Sequence, residues 1–534
     1  MGPAQGEARV RLPVSALTGA DFQRFNRGDW DSYAFGKRLL AKLPAPLVSD
    51  ITGIYNGIRE ADSVRRANLL LGDLIRSLPI QTLTIGASED EISYLAQKRA
   101  DYFNGLQHFF PMVGIINAAY ALSRRDGIDP DAVLSCVHSP LGLIARFTDA
   151  RWWRRNLRTA HSRAFEKFMR DGGRVHRRAG LYVSDSTLDR FSQQQRRNRA
   201  LLETMTAVND LGDEVPLEII VDASLANPRN RRAELMARIA GFESIARSLF
   251  HEAEFYTLTT PSRMHARHGR TGAANPRYDR TSPREAQIYL RKLWARIRAR
   301  LKRERLHPYG FRIAEPHHDG TPHWHLLFFM PNEHVKRVRG ILREYALADA
   351  GTEPGALKHR FKYVAVDRSR GTAAGYVAKY ISKGIDGHGL PAEEAGKIPE
   401  IKASRVRAHA STWGMRQFQQ IGGPPVGIYR ELRRIETAPT ALLESLRAAA
   451  DAGRWDEFVR LMGGPAIRRK DLPVIIATAE REGLSRYGEP LAEKVVGLNH
   501  GGVIVPTRLR TWVFKSDSSS GAGARDPPLT AHPH

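Results

Sequence analysis

Cysteine is nearly absent from this sequence: Cys136 is the single one in 534 residues. That excludes disulfides within the chain and any cysteine-rich zinc module. Long apolar runs are missing too. The longest, FFPMVGIINAAYAL at residues 109–122, falls short of the ~20 residues that cross a bilayer, so neither a membrane-spanning helix nor a membrane partner is expected. The opening stretch MGPAQGEARVRLPVSALTG has no apolar signal core, and with so little cysteine a reducing cytoplasm is the expected compartment. There is no internal repeat and no G-x-x-x-x-G-K-S/T phosphate loop, so any strand unwinding would need a separate motor. Acidic residues are scarce by comparison with basic ones. The 57 Asp and Glu face 82 Lys and Arg, a formal charge of +25, which points to a polyanionic partner.

At roughly 150 residues per domain the length suggests three or four domains. Residues 1–175 read as a helical region, with apolar spacing of three and four in EISYLAQKRADYFNGLQ and LGLIARFTDARWWRRNLRTAHSRAFEKFM. Within the latter, Arg151, Trp152, Trp153 and Arg154 offer alternating guanidinium and aromatic groups for DNA contact. The competing reading turns the tryptophans to the core and the arginines to water. Residues 176–250 read as a helical linking segment. One helix is expected to open at Ser186, where STLD resembles a capping box, and another after ANP at residue 228.

The pattern changes after residue 250. EFYTLTTPS (254–262) reads as a strand that stops at Pro261, and a helix runs from Pro283 through REAQIYLRKLWARIRARLKRE with a basic face. A hairpin, a helix, the strand FKYVAVD (361–367) and a glycine-bounded helix over 371–387 follow. The order predicts an α+β domain over 251–436, an antiparallel sheet with flanking helices. Within it, 412–434 is turn-rich. A small mixed region over 437–515 follows, and 516–534 has the composition of a disordered tail.

The hairpin FRIAEPHHDGTPHWHLLFFM (311–330) concentrates the chemistry. On a strand, residues i and i+2 share a face, so His323 and His325 point the same way and Trp324 the other. Glu315 ends the preceding strand, and the Asp-Gly turn brings it back beside His323. Two histidines and a carboxylate form a metal-ligand set with open positions for water or a phosphate oxygen. His317 and His318 are alternatives to Glu315 as third ligand, or loop residues that meet DNA or solvent. The helix GYVAKYISKG places Tyr376, Tyr380, Lys379 and Lys383 within one ~100° arc. A phenol of pKa ≈ 10 is a poor nucleophile unless a cation or a metal assists it, so beside a metal site these become candidate nucleophiles with helping lysines. Alone, they make an ordinary amphipathic helix.

EPHHDGTPHWHLLFF followed by GYVAKYISKGIDG resembles the replication gene A proteins of temperate tailed phages, members of the His-hydrophobic-His (HUH) superfamily of rolling-circle initiators. YTLTTPS and RQFQQIGGPPV fit as well, so the resemblance covers roughly residues 150–435. It implies a metal-dependent endonuclease, acting in the bacterial host cytoplasm, that nicks one strand of single-stranded or supercoiled origin DNA. Such an enzyme joins covalently to the 5′ phosphate and leaves a 3′ hydroxyl as primer. By position, His323 and His325 would bind Mg²⁺ or Mn²⁺, Tyr376 and Tyr380 would attack, Lys379 or Lys383 would neutralise charge, and a host helicase would unwind. A relaxase has its tyrosines before the histidines, the reverse of the order here, and paired-tyrosine transposases usually carry a cysteine-rich zinc domain. A non-catalytic basic DNA-binding protein would explain the charge but not the hairpin.

Overall fold

The computed structural model describes residues 32–41, 45–76, 83, 86–135, 137, 139–369, 371–389 and 399–516. Cys136, the opening stretch and the tail 517–534 lie outside the described residues. The chain divides into two compact units, residues 1–173 with 483–490, and residues 174–482 with 491–534. Among the described residues no helix is long and apolar enough to cross a membrane.

The first unit is built largely from helices. Glu89–Leu106 starts at a reciprocal cap in which the Ser88 and Glu91 side chains bond each other's backbone N–H. Ala150–Asp171 packs against it, and Trp152 and Trp153 go into the core: they are 2% and 0% exposed. Trp153 lies parallel to Phe103, its ring centre 5.8 Å away, and its indole N–H donates to the Phe147 carbonyl at 2.8 Å. This corrects the DNA-stacking role for the pair. Trp152, Trp153, Leu157, Phe165 and Phe168 recur on the inward side of the helix, which leaves no ring face for a base, while Arg151 is exposed and Arg154 partly so.

The second unit is organised by a five-stranded sheet. Its strands are β1 (Glu252–Thr259), β2 (Tyr309–Pro316), β3 (Pro322–Met330), β4 (Phe361–Ala365) and β5 (Phe418–Ile421). The order across the sheet is β4-β1-β3-β2-β5, and every neighbouring pair is antiparallel. Helices α1 (Pro228–Ser248), α2 (Pro283–Arg303), α3 (Asn332–Leu347) and α4 (Ala373–Ile385) surround it. The α+β class with an antiparallel sheet is therefore the observed one.

Two cores form, one on each side. Phe255, Ile313, Leu327 and Phe329 pack with Phe242 of α1 and Val377 of α4. Tyr256, Trp324, Leu326 and Phe328 pack with Leu290 and Ile297 of α2 and Ile341 of α3. All nine residues of β3 are buried. That is why PHWHLLFFM lacks the alternation of a half-exposed strand, and each large side chain so buried contributes about 1.5–3 kcal/mol. Gly310 is required where β2 meets β3: its φ is +145°, and a Cβ there would stand 2.0 Å from the Leu327 carbonyl oxygen.

Three local expectations change. The helix expected at Ser186 begins at Asp185, capped by Ser184, whose hydroxyl accepts from the Thr187 N–H. The linking segment is not wholly helical, because Met205–Asn209 pairs antiparallel with Trp512–Ser516. The turn-rich stretch contains β5, which completes the sheet beside β2.

Candidate active site

Register places the site before any side-chain detail. Glu315 pairs with His323 across β2 and β3, while Thr259 pairs with His323 and Thr257 with His325 across β1 and β3. Opposed residues of an antiparallel pair share a face, so these five line one patch, continuous with Leu327 and Phe329 and turned toward α1 and α4. The Thr257 hydroxyl lies 3.0 Å from Nδ1 of His325, which fixes that ring and turns Nε2 inward. Nε2 of His325 then stands 2.9 Å from Nε2 of His323 and 3.7 Å from a Glu315 oxygen.

The three side chains each offer one ligand atom, all within 4.8 Å of one another and all from buried residues. Oε1 of Glu315 and Nδ1 of His323 are buried without a hydrogen-bond partner. Two inward imidazole nitrogens at this spacing match cis ligands of one ion with bonds of about 2.0–2.1 Å, which lie about 3 Å apart. The orphaned carboxylate oxygen supplies a third donor, so the residues fit a divalent cation.

Electrostatics favour the ligand forms. Burial holds His323 neutral well below the usual imidazole range, and His317 beside it adds to the effect. Burial pushes the Glu315 carboxyl up, but the Lys383 ammonium and the His325 ring outweigh it, so the group stays ionised below its usual range. Lys383 lies 3.0 Å from Oε2 of Glu315. Burial lowers its pKa, but Glu315 and Tyr182 more than compensate, and it is firmly charged.

The helix α4, capped by the Thr372 hydroxyl at Gly375 N–H, brings the tyrosines to this patch. The ring of Tyr380 lies 4.4 Å from that of His325 and 5.3 Å from Phe255. Tyr376, 41% exposed, reaches the patch through Phe255, 5.2 Å away. The two lysines separate: Lys379 is exposed, with its ammonium 5.4 Å from the Tyr380 ring, whereas Lys383 is engaged with Glu315. His317 is not a free loop residue. Its ring stacks on His323 at 4.0 Å, and its backbone closes the turn through His317 N–H to Thr321 O and Gly320 N–H to His317 O. His318 sits farther out, against Gly269.

Sequence reasoning passed over Tyr182. It is 6% exposed, has φ +70°, and its backbone N–H donates to the His318 carbonyl. The Lys383 ammonium lies 5.1 Å from its ring centre. The stretch before α1 thus belongs to the site. Its one local signal is the left-handed backbone, which sequence does not reveal for a tyrosine.

The fold and the patch together define an α+β protein with a candidate divalent-metal centre faced by paired tyrosines. Residues 136–388 match the family described as Bacteriophage replication gene A protein (GPA). The Replication gene A protein of Escherichia phage 186 is 44% identical over 357 residues, 65% of this chain and 51% of its own length. The Probable replication protein P12 of Pseudoalteromonas phage PM2 is 36% identical over 390 residues, 71% and 60% respectively. A Probable replication endonuclease from prophage-like region 1 of Salmonella typhi is 35% identical over 367 residues, 65% and 46% respectively. The chain spans about half the length of the curated relatives it matches. No solved structure matches it.

Proposed function

We propose that this chain is a phage or prophage replication initiator of the HUH type, a site-specific endonuclease that nicks one strand of origin DNA through a covalent tyrosine intermediate. The observation that carries the reading is Tyr380, whose ring lies against His325 of the Glu315–His323–His325 set, with Tyr376 one turn before it on the same helix. Relatives named replication gene A protein and replication endonuclease support it.

A bound Mn²⁺ or Mg²⁺ held by His323, His325 and Glu315 would supply Lewis-acid polarisation of the scissile phosphate. The chain's own residues do the rest. The tyrosine oxygen forms a bond to phosphorus while the bond to the 3′ oxygen breaks. The leaving oxygen takes up a proton and becomes a 3′ hydroxyl primer, and the 5′ phosphate stays on the tyrosine, so the energy of the broken bond is retained for rejoining. Lys379, exposed beside Tyr380, is placed to offset charge on the phenolate or phosphate. Lys383 instead holds Glu315 ionised and oriented. Strand separation falls to another protein, a host helicase.

Incubation with supercoiled or single-stranded origin DNA and Mn²⁺ or Mg²⁺, followed by a denaturing gel, tests this. A protein-linked 5′ end that depends on both the cation and the tyrosines is expected. Cleavage without any covalent adduct would overturn it.

A further inference from the structure

The face of the sheet turned away from the tyrosines carries a second concentration of positive charge, and there α2 has two unlike flanks. On one flank two of the cations are occupied, Arg300 paired with Glu304 and Arg296 over the Tyr345 ring, while Lys292 and Arg303 are exposed. On the other, Arg284, Arg291, Arg298 and Lys302 follow at spacings of seven, seven and four residues. They form one stripe about 27 Å long, at ~1.5 Å per residue. Arg284 donates to the Trp413 carbonyl at 3.0 Å. Arg291, Arg298 and Lys302 are exposed and have no carboxylate partner among the described residues.

Two buried donors lie beside that stripe. Arg312 of β2 is 3% exposed, with its guanidinium 4.3 Å from the Trp324 ring centre. It donates to the Arg416 carbonyl at 2.9 Å, its Nε has no partner, and the charges that act on it come from Arg416 and Arg291, both like-signed. Farther along, the stripe borders a cleft of about 630 Å³ lined by Trp294, Leu306, Ile421 and Ile467, with Arg298 and Lys302 also in its wall. Trp294 is 5% exposed, and its indole N–H is buried without a partner.

These unsatisfied groups are all donors or cations. The ligand they suit has negative charge repeated along the stripe and a flat, partly apolar group with acceptor atoms for the cleft. Duplex DNA matches the charge but keeps its bases stacked within the helix. Single-stranded DNA supplies both phosphates and unstacked bases. We propose that this face is a second DNA site, which holds single-stranded DNA with its backbone along α2 and one base in the cleft beside Trp294. The proposal rests on the chain acting on DNA, but not on tyrosine chemistry.

The test is binding by the full chain without divalent cations, so that cleavage plays no part. Fluorescence anisotropy compares thymidine oligonucleotides of about 8 and about 30 nucleotides, one within and one beyond the ~4–16-nucleotide site sizes of known single-strand folds. The longer one should bind more tightly, and Arg291→Glu/Arg298→Glu/Lys302→Glu should weaken it by at least ~10-fold. The log–log salt slope should fall by about 2, at ~0.7 per single-strand phosphate contact. Affinity and slope unchanged from the unsubstituted chain would overturn the site. The milder Arg298→Gln, with its thermal midpoint measured alongside, separates lost contacts from lost folding. Iodouracil-substituted oligonucleotide should crosslink to the α2 peptide that contains Trp294, and crosslinks confined to α4 would refute the placement. An equal loss of duplex affinity in the triple variant would refute the single-strand assignment.

Discussion

Tyr380 and His325 lie ring against ring, 4.4 Å apart with 41° between their planes, whereas the ring contact of Tyr376 among the described residues is with Phe255. The two tyrosines are therefore inner and outer positions of one site rather than equivalent copies.

That inequality makes a kinetic prediction. Tyr380→Phe should slow the first cleavage of a short single-stranded origin oligonucleotide by at least ~10-fold more than Tyr376→Phe, each 1.4 kcal/mol of barrier being tenfold in rate. Each single variant should lose coupled strand transfer, and the double variant should form no adduct. Mass spectrometry of the adduct under multiple turnover should find nucleotide on both residues. Nucleotide on one alone would remove the paired role.

Removal of a candidate ligand should separate binding from chemistry. His323→Ala or His325→Ala should abolish nicking and lower Mn²⁺ affinity by calorimetry, while single-stranded DNA affinity changes by less than about threefold, since phosphate contacts dominate it. Nicking by His325→Ala in EDTA would contradict the metal assignment.

Lys383→Met leaves Glu315 buried and without the ammonium that holds it ionised. Removing one member of a buried ion pair costs about 3–5 kcal/mol, and the 20% exposure of the lysine side chain places this case toward the lower end. A cation that binds the freed carboxylate stabilises the folded state by mass action. Mn²⁺ should therefore raise the thermal midpoint of Lys383→Met more than that of the unsubstituted chain. An equal rise in both would mean that Glu315 is not a ligand.

Stability should also depend on pH. Burial keeps His317 and His323 neutral well below the usual range, but in the unfolded chain they protonate near pH 6.5. Below that pH the unfolded state binds more protons, so stability falls as the pH drops. Thermal scans in EDTA between pH 7.5 and 5 should show the fall, and His317→Phe should flatten it. A midpoint that rises on acidification would reverse the assignment.

The parts of this site that sequence revealed are those with a local period. His323 and His325 lie two apart on one strand, Asp319 and Gly320 make the turn that returns Glu315, and Tyr376 and Tyr380 lie one helical turn apart. The α+β order was readable for the same reason. What sequence did not reveal depends on distant partners. Tyr182 reaches Lys383 from 201 residues away in the chain, Met205–Asn209 finds its strand partner at Trp512–Ser516, and β5 is a four-residue strand with no alternation. The tryptophans of RWWRR show the remaining ambiguity. A residue pattern that suits stacking on bases also suits stacking on Phe103, and only the presence of a neighbouring helix decides between them.

The burial of β3 on both faces makes that strand a party wall. His323 and His325 hang on one side, Trp324 and Leu326 on the other, and one backbone serves both rooms. A defect on the far side, such as the void left by Trp324→Ala, is inherited by the histidines without any change to a residue that touches them. Variation in such a protein is freest at the sheet's outer strands, and any drift in this one must be matched on both sides at once.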